Sequence, residues 1–278
     1  MGVAALLLVG AAACADEIQD GYFHTSDGVR LHYREAGTTG RTLVFIPGWL
    51  MPAEIFDGQL RALSSHYHVF ALSPRSQGQS AAYAGRHTPE LRARDISEFV
   101  EHVAPGDFVL VGWSLGVMEG LDYVHRFHPH GLKAMVLIDN SIGEAQPPRA
   151  APAKRRATET AAERVERLRA FVRSMFHTPQ PPEFIDLIDQ SVLRVPNDIA
   201  QELLAKPYPR EYYKTVIYKE GVPVLYAITP RLREQGAALV AHLPGARVTV
   251  YPSAGHALFV DAAAEFNADL ERFLEDVH

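Results

Sequence analysis

One serine of the chain lies between two glycines, in the segment G-W-S-L-G at residues 112–116. The apolar residues 108–111 before it predict a strand, and residues 114–127 predict a helix. A serine on a tight turn between a strand and a helix exposes its hydroxyl above the sheet, and the flanking small residues let the turn pack. The helix N-terminus also stabilises negative charge that develops beside it. The segment therefore predicts a nucleophile, Ser114; a glycine-flanked serine in an ordinary turn is the alternative.

A serine hydroxyl is a weak nucleophile at neutral pH and needs a neighbouring base. Of the 13 histidines, His256 is the best candidate, because it lies between the last predicted strand and the last predicted helix. Its loop then lies at the carboxyl edge of a parallel sheet, where ligands of open α/β sheets bind. Gly255 gives this loop room to bend. We predict that His256 is the base; a loop histidine bonded to the backbone is the alternative.

A second group of histidines, His125, His128 and His130, lies at the predicted end of a helix. No cysteine or carboxylate ligand stands near them in the sequence, so a solvated helix end is favoured over a metal site. The chemistry predicted for Ser114 and His256 needs neither a metal nor an organic cofactor. We therefore expect no cofactor and no metal.

Short apolar segments alternate with amphipathic ones from residue 21 onward. The predicted strands cover residues 29–33, 42–46, 68–72, 108–111, 132–138, 222–228 and 247–251, and the predicted helices cover residues 54–63, 89–103, 114–127 and 262–277. Continuous apolar strands separated by helices are typical of a parallel sheet that is covered on both faces. The predicted fold class is α/β, a mostly parallel central sheet with helices on both faces.

The alternation stops between residues 141 and about 220, where proline clusters separate helical stretches. We interpret residues 141–220 as a helical cap over the carboxyl edge of the sheet, inserted between the core segments 16–140 and 221–278. The first part of this cap is basic, with seven Lys or Arg against three Glu between residues 149 and 169. A solvated helix face is the simplest interpretation; attraction to an anionic substrate or a lipid headgroup is the alternative.

Residues 1–15 carry no charged side chain and end in small residues. They resemble the apolar core of a secretory signal with a cleavage site at residues 13–15, although no basic residue follows Met1. Small residues before Cys14 also resemble a bacterial lipoprotein signal, in which that cysteine carries a lipid anchor. We predict an exported protein, periplasmic or secreted; a lipid anchor at Cys14 is a second interpretation, and it would be the one contact with a membrane. A buried N-terminal helix in a cytoplasmic protein is the alternative.

The composition excludes several classes of protein. Of the 278 residues, 47% are hydrophobic and 22% are charged, which is ordinary for a globular protein with a substantial core. The formal net charge of −6 is opposite in sign to that of most nucleic-acid binders, so we expect no nucleic-acid partner. Cys14 is the only cysteine, which excludes an intrachain disulfide. No apolar run reaches the length of about 18 residues that predicts a transmembrane span.

Several motifs together resemble the α/β-hydrolase superfamily. They are the serine turn, the late Gly255-His256 pair and the early I-P-G-W segment at residues 46–49, which follows a predicted strand. Residues 73–80, S-P-R-S-Q-G-Q-S, are similar to the D-x-R-G-x-G-x-S loop of that superfamily, with Ser73 in place of the acid. The resemblance covers about residues 22–277. It implies the fold, but it implies little about the substrate.

The resemblance also implies a triad in the chain order serine, acid, histidine. The most common place for the acid follows strand 222–228, but that segment continues T-P-R and has no acid until Glu234. The alternative place in some branches follows the preceding strand, where Asp139 stands. We predict that Asp139 orients the imidazole, although it could instead cap the first turn of the cap. Glu234 is the weaker candidate, and Asp261 is expected to face solvent at a helix start.

An oxyanion hole needs two N–H donors aimed at the developing charge. By resemblance they are the backbone N–H groups of Leu115, directly after the nucleophile, and of Trp49, after the early strand. Pro47 stands where the superfamily usually has a histidine, which leaves the backbone donor in place. The side chains of Trp49, Trp113 and Leu50 are candidates for walls of the substrate pocket. For both tryptophans, plain core packing is the alternative.

Taken together, these residues predict a serine hydrolase that cleaves a carboxylic ester, a thioester or a lactone through an acyl-enzyme on Ser114. The expected partner is a small-molecule acyl substrate. The same residues serve amide or C–C hydrolysis, perhydrolysis and cofactor-free oxygenation. A ligand receptor or a surface-anchored binding protein on the same fold is the alternative of another class.

Overall fold

The structure is a computed structural model, and it describes residues 17–145, 159–205 and 208–277. The predictions of a signal segment and of a lipid anchor at Cys14 lie outside the described residues. The first part of the basic run also lies outside them. None of the described helices is long and apolar enough to cross a membrane.

The described residues form one eight-stranded sheet in the order β1-β2-β4-β3-β5-β6-β7-β8. The strands are β1 (Gln19–His24), β2 (Arg30–Ala36), β3 (Arg41–Ile46), β4 (Tyr67–Ser73), β5 (Phe108–Trp113), β6 (Leu132–Ile138), β7 (Val224–Ile228) and β8 (Arg247–Val250). β2 runs antiparallel to both β1 and β4, and the remaining pairs are parallel. The predicted α/β class with a mostly parallel sheet is confirmed.

Helices follow most of the strands. In the described part of the chain they are α1 (Asp57–Leu63), α2 (Pro89–Val103), α3 (Leu115–Phe127), α4 (Ala161–Ser174), α5 (Pro182–Arg194), α6 (Asn197–Leu203), α7 (Arg210–Glu220), α8 (Arg233–His242), α9 (Leu258–Asp261) and α10 (Ala263–Leu274). Thr88 caps α2 by accepting the N–H of Leu91, and proline stands in the first turn. These local signals explain why the helix begins at Pro89, as predicted.

The two faces of the sheet bury separate cores. Successive side chains of a strand point to opposite faces, so Leu43 and Phe45 of β3 pack in one core and Val44 and Ile46 in the other. Helices α1 and α10 cover the first face, and α2, α3, α7 and α8 cover the second. Burial on both faces explains the continuous apolar runs that predicted a parallel sheet.

The structure adds elements that the sequence did not indicate. β1 is an edge strand in which one residue, Phe23, is buried, so it has almost no apolar pattern. α8 contains Gly236 and several alanines, which give it little helical periodicity. The predicted helix 54–63 begins as a 3-10 turn, and the predicted helix 262–277 is preceded by the short α9.

The insertion between β6 and β7 contains α4 to α7 in its described part. Its first three helices pack at the carboxyl edge of the sheet, where the Trp49 indole donates to the Ala200 carbonyl (2.8 Å). The last helix, α7, belongs elsewhere: Val216 and Ile217 are buried in the core of the second sheet face, beside α3. The predicted cap segment 141–220 therefore includes one helix that covers the sheet.

Candidate active site

Ser114 sits on the sharp turn between β5 and α3. Its backbone has φ 53° and ψ −119°, a conformation that non-glycine residues rarely adopt, and its N–H donates to the Ile138 carbonyl (3.0 Å). A Cβ on Gly116 would lie 2.2 Å from the Ile46 carbonyl oxygen, and one on Gly112 would lie 2.7 Å from the Gly116 carbonyl oxygen. Glycine at 116 therefore lets the turn approach β3, and glycine at 112 lets the start of α3 pack against the end of β5.

This close approach gives a prediction for Gly116→Ala. The added methyl group meets backbone atoms that cannot rotate away, so we expect the free energy of unfolding to fall by about 1–3 kcal/mol or more. Gly58→Ala is the matched control, because Gly58 lies in α1 with open space around its Cβ position and should gain about 0.5–1 kcal/mol. Urea unfolding of both variants measures the difference. An unchanged midpoint for Gly116→Ala would contradict the packing described here.

The structure brings Ser114, His256 and Asp139 into one hydrogen-bonded chain. The His256 Nε2 atom lies 2.9 Å from the Ser114 hydroxyl oxygen, and Nδ1 lies 2.7 Å from Asp139 Oδ2. The neutral imidazole with its proton on Nδ1 donates to the carboxylate and leaves Nε2 to accept the serine proton. The three residues follow β5, β6 and β8, and so meet at the carboxyl edge of the sheet.

The Asp139 carboxylate is fully buried and held by several donors. Its Oδ1 atom accepts the Thr229 N–H (2.8 Å) and hydroxyl (2.7 Å), and Oδ2 accepts from His256 and Arg231. Burial alone would raise the pKa of Asp139, but the His256 hydrogen bond and the Arg231 charge outweigh it and lower that pKa. The ionised Asp139 carboxylate therefore stabilises the folded protein at pH values above the ordinary aspartate pKa of about 3.9. This stabilisation is lost as the pH falls through the lower pKa that Asp139 has in the folded protein.

Glu234, the weaker candidate for the acid, is exposed on the first turn of α8. Asp139, by contrast, contacts the imidazole directly. Asp139 directly follows the end of β6, whereas Glu234 comes six residues after the end of β7, on a helix that leads away from the strand end.

The loop after β3 passes close to the serine. A Cβ on Gly48 would lie 3.0 Å from the Ser114 Cβ, so the backbone that leads to Trp49 borders the nucleophile. On the other side, Leu115 is the first residue of α3, and N–H groups of a first helical turn have no acceptor within the helix. Leu115 therefore directly follows Ser114, and Trp49 follows the glycine that lies beside it. The Trp49 indole stacks edge-on against Phe171 of α4, with ring centroids 5.1 Å apart.

Two side chains proposed as pocket walls lie in the core instead. Trp113 is 1% exposed and Leu50 is fully buried, so neither offers a surface to a substrate. Trp113 ends β5 on the inner face, where its Nε1–H donates to the His256 carbonyl (2.9 Å). Its ring lies 5.3 Å from the imidazole. Trp113 therefore supports the loop of His256 through a hydrogen bond and a ring contact.

Asp261 also differs from its expected role at a solvent-facing helix start. Its Oδ2 accepts the N–H groups of Gly255 (2.8 Å) and His177 (2.7 Å), and its Oδ1 accepts the N–H (3.0 Å) and hydroxyl (2.7 Å) of Thr178. Burial raises the pKa of this carboxyl, but these hydrogen bonds outweigh burial and lower it. Asp261 thus joins the loop of His256 to the α4–α5 turn of the insertion. No sequence spacing indicated this contact, because its partners come from separate segments.

Asp261→Asn tests this link. The amide must turn its NH2 group toward N–H donors, so we expect the free energy of unfolding to fall by about 1–3 kcal/mol. Turnover should fall by about tenfold, because a 1 Å shift of a catalytic group has large effects on rate. Glu265→Gln, an exposed carboxylate on α10, is the control and should change neither quantity. Wild-type stability and turnover in Asp261→Asn would show that the contact has no such role.

The loop at residues 73–80 has a structural role. Arg75 is fully buried, pairs with Asp95 and Asp27, and lies over the Tyr83 ring. Ser73, in the place of an acid, accepts the Ala53 N–H (2.9 Å) through its hydroxyl. Among the described residues, no group of three His, Cys, Asp or Glu could hold a metal ion.

The profile of the alpha/beta hydrolase family matches residues 43–269. This match covers most of the chain, and the chain belongs to the alpha/beta hydrolase family. The resemblance drawn from the serine turn and the Gly-His loop is therefore confirmed.

The chain is also similar in sequence to individual curated proteins. The chain is 26% identical to a pimeloyl-acyl-carrier-protein methyl ester esterase of Neisseria meningitidis over 250 residues, 85% of this chain and 94% of that protein. It is 31% identical to a bifunctional esterase/perhydrolase of Acinetobacter calcoaceticus over 120 residues, 42% of this chain and 44% of that protein. Matches to several curated relatives thus span less than half of their length.

Among solved structures, the esterase RhEst1 from Rhodococcus superposes with a TM-score of 0.77 at 19% identity. The superposition covers 93% of this chain and 99% of that one. At this identity the likeness shows a shared fold.

Proposed function

We propose that the protein is a serine hydrolase that cleaves a carboxylic ester through an acyl-enzyme on Ser114. The observation that carries this proposal is the chain of two hydrogen bonds from Ser114 through His256 to Asp139, at 2.9 and 2.7 Å. A serine on a strained turn, a histidine within reach and a buried carboxylate behind it are the parts that nucleophilic acyl transfer requires.

The proposed reaction has two halves. The Ser114 hydroxyl oxygen attacks the ester carbonyl carbon while His256 Nε2 takes its proton, and collapse of the tetrahedral intermediate releases the alcohol with that proton. Water then attacks the acyl carbon while His256 Nε2 takes its proton, and collapse of the second intermediate releases the carboxylic acid as His256 returns that proton to the Ser114 oxygen. Asp139 stays ionised and stabilises the imidazolium in both halves.

The negative oxygen of each intermediate needs donors beside the serine. We assign the N–H groups of Leu115 and Trp49 to this role, because Leu115 directly follows Ser114 and Trp49 directly follows Gly48, which lies beside it. Each such donor contributes about 2.7–4 kcal/mol to transition-state stabilisation in a well-studied protease. The helix dipole of α3 acts in the same direction.

The substrate class is supported by the relatives and by the surroundings of the site. One relative is named for a methyl ester and another for esterase and perhydrolase activity. Trp49 and Phe171 give the side of the site toward the insertion an apolar character. We therefore propose a small-molecule ester with an apolar acyl group; thioesters and lactones would use the same steps.

A matched set of acyl compounds tests the proposal. One acyl group is offered as a methyl ester, a 4-nitrophenyl ester, a thioester and an anilide, over several chain lengths. We expect ester turnover, with anilide turnover at least an order of magnitude slower. Acid quenching during turnover should trap the acyl group on the peptide that contains Ser114. Folded protein without turnover of any ester would contradict the proposal and favour a ligand receptor on the same fold.

Perhydrolysis is a second candidate, favoured by the name of the Acinetobacter relative. In this reaction hydrogen peroxide replaces water as the attacking group on the acyl-enzyme, so the product is a peracid. Adding peroxide to the ester assay and measuring peracid distinguishes the two fates of the same intermediate.

A further inference from the structure

An arginine occupies the region where the most common triad acid of the fold would stand. Arg231 follows β7, and its guanidinium binds Asp139 Oδ2 at 2.8 and 3.2 Å and the Asp139 carbonyl at 2.7 Å. The same Nη2 atom lies 3.5 Å from His256 Nδ1. About half of the Arg231 side chain (47%) is exposed. The guanidinium therefore lies on the solvent side of the hydrogen bond between Asp139 and His256.

We propose that Arg231 is a positioning residue of this site, a fixed cation that holds the Asp139 carboxylate and disfavours protonation of His256. The kinetic part of this proposal rests on the proposed hydrolase function.

The electrostatic argument has a definite sign. A positive charge close to an imidazole favours its neutral form over the imidazolium. Arg231 also donates to Asp139 Oδ2, the oxygen that accepts from His256. The Arg231 charge therefore offsets part of the carboxylate charge that would otherwise stabilise the imidazolium. Both effects extend activity toward lower pH. Their size is limited because the guanidinium is half-exposed and therefore partly screened by solvent.

The other charged and titratable groups around His256 do not supply the effect that we assign to the Arg231 charge. Asp261 of α9 binds the neighbouring Gly255 N–H, and its lowered pKa keeps its charge constant over mildly acidic pH. His177 of the insertion is exposed and reaches this loop through its backbone. Tyr226 of β7 donates to the Asn140 carbonyl, and burial raises its pKa, so it stays neutral. These groups are the same in a variant that changes Arg231 alone.

The test compares charge-removing and charge-keeping variants of the full chain. Arg231→Gln and Arg231→Met remove the cation, Arg231→Lys keeps it, and Arg233→Gln removes an exposed cation two residues away. We expect the acidic limb of the kcat/KM profile to move up by about one pH unit in the first two variants. At a fixed pH on that limb, this is about a tenfold loss. The Lys variant and the Arg233 control should keep the wild-type limb.

The imidazole itself gives a readout that needs no turnover. The ring protons of His256, assigned with His256→Ala, are titrated by NMR in each protein. Their half-titration pH should rise in Arg231→Gln and Arg231→Met, and return toward wild type in Arg231→Lys. An unchanged imidazole titration would overturn the proposal, as would an equal loss of kcat/KM at every pH, which indicates a purely structural role. A shifted titration in a protein that turns over no ester would support Arg231 and reject the proposed function.

Discussion

Ser114→Ala should abolish ester turnover while leaving the fold intact. The variant removes the atom that attacks the carbonyl, and loss of the nucleophile costs about 10⁶-fold in kcat in a well-studied serine protease. The Ser114 hydroxyl makes its described contact with His256, at 2.9 Å, and carries no hydrogen bond of the sheet. We therefore expect the melting temperature to stay within a degree or two of wild type. Steady-state kinetics and thermal unfolding of the same preparations measure both quantities.

Ser253→Ala is the matched control, because Ser253 is an exposed serine three residues before His256. It should keep wild-type kinetics. Turnover by Ser114→Ala at more than about a thousandth of the wild-type rate would reject Ser114 as the nucleophile, since the remaining site gives only background catalysis.

Asp139→Asn should lower kcat by about 10⁴-fold, the effect of the same change in the best-studied triad. The amide can present its NH2 group either to Thr229 or to Arg231 and His256, and each orientation sets a donor against donors. With the NH2 group toward His256, the imidazole loses the acceptor that fixes its Nδ1 proton; with the oxygen toward His256, that acceptor is neutral and no longer stabilises the imidazolium. Stopped assays at high enzyme concentration measure the residual rate.

Glu234→Gln is the control for this second prediction. Glu234 is exposed at the start of α8, and its neutralisation should leave kcat within twofold of wild type. If Glu234→Gln lost activity by orders of magnitude and Asp139→Asn kept it, the acid assigned here would be wrong.

The sequence was sufficient to predict the parts of the site that depend on local pattern. The glycines around Ser114 and the apolar strand before it predict the turn without knowledge of the rest of the chain. His256 could be predicted because it lies in the loop after the last strand, and parallel strands end at a common edge. The resemblance to the α/β-hydrolase superfamily then pointed to Asp139, which directly follows β6. The predicted helix 89–103 has the observed start, because Thr88 and Pro89 act within one helical turn.

Contacts between distant segments could not be predicted in this way. Burial of Trp113 and Leu50 depends on which side of the turn each side chain takes, and sequence spacing does not give that direction. The hydrogen bonds of Asp261 join α9 to residues 177 and 178, more than 80 positions earlier. Arg231 reaches Asp139 because β6 and β7 are neighbours in the sheet, although 92 positions separate the two residues.

The most direct test of the account is the reaction of the full chain with a fluorophosphonate, followed by intact mass and peptide mapping. The reagent reports an activated serine and requires no knowledge of the natural substrate. We predict one adduct, located on Ser114, which is absent in Ser114→Ala and slower to form as His256 becomes protonated. A folded protein that forms no adduct, or that carries it on another serine, would contradict the claim that Ser114, His256 and Asp139 form a working nucleophilic site.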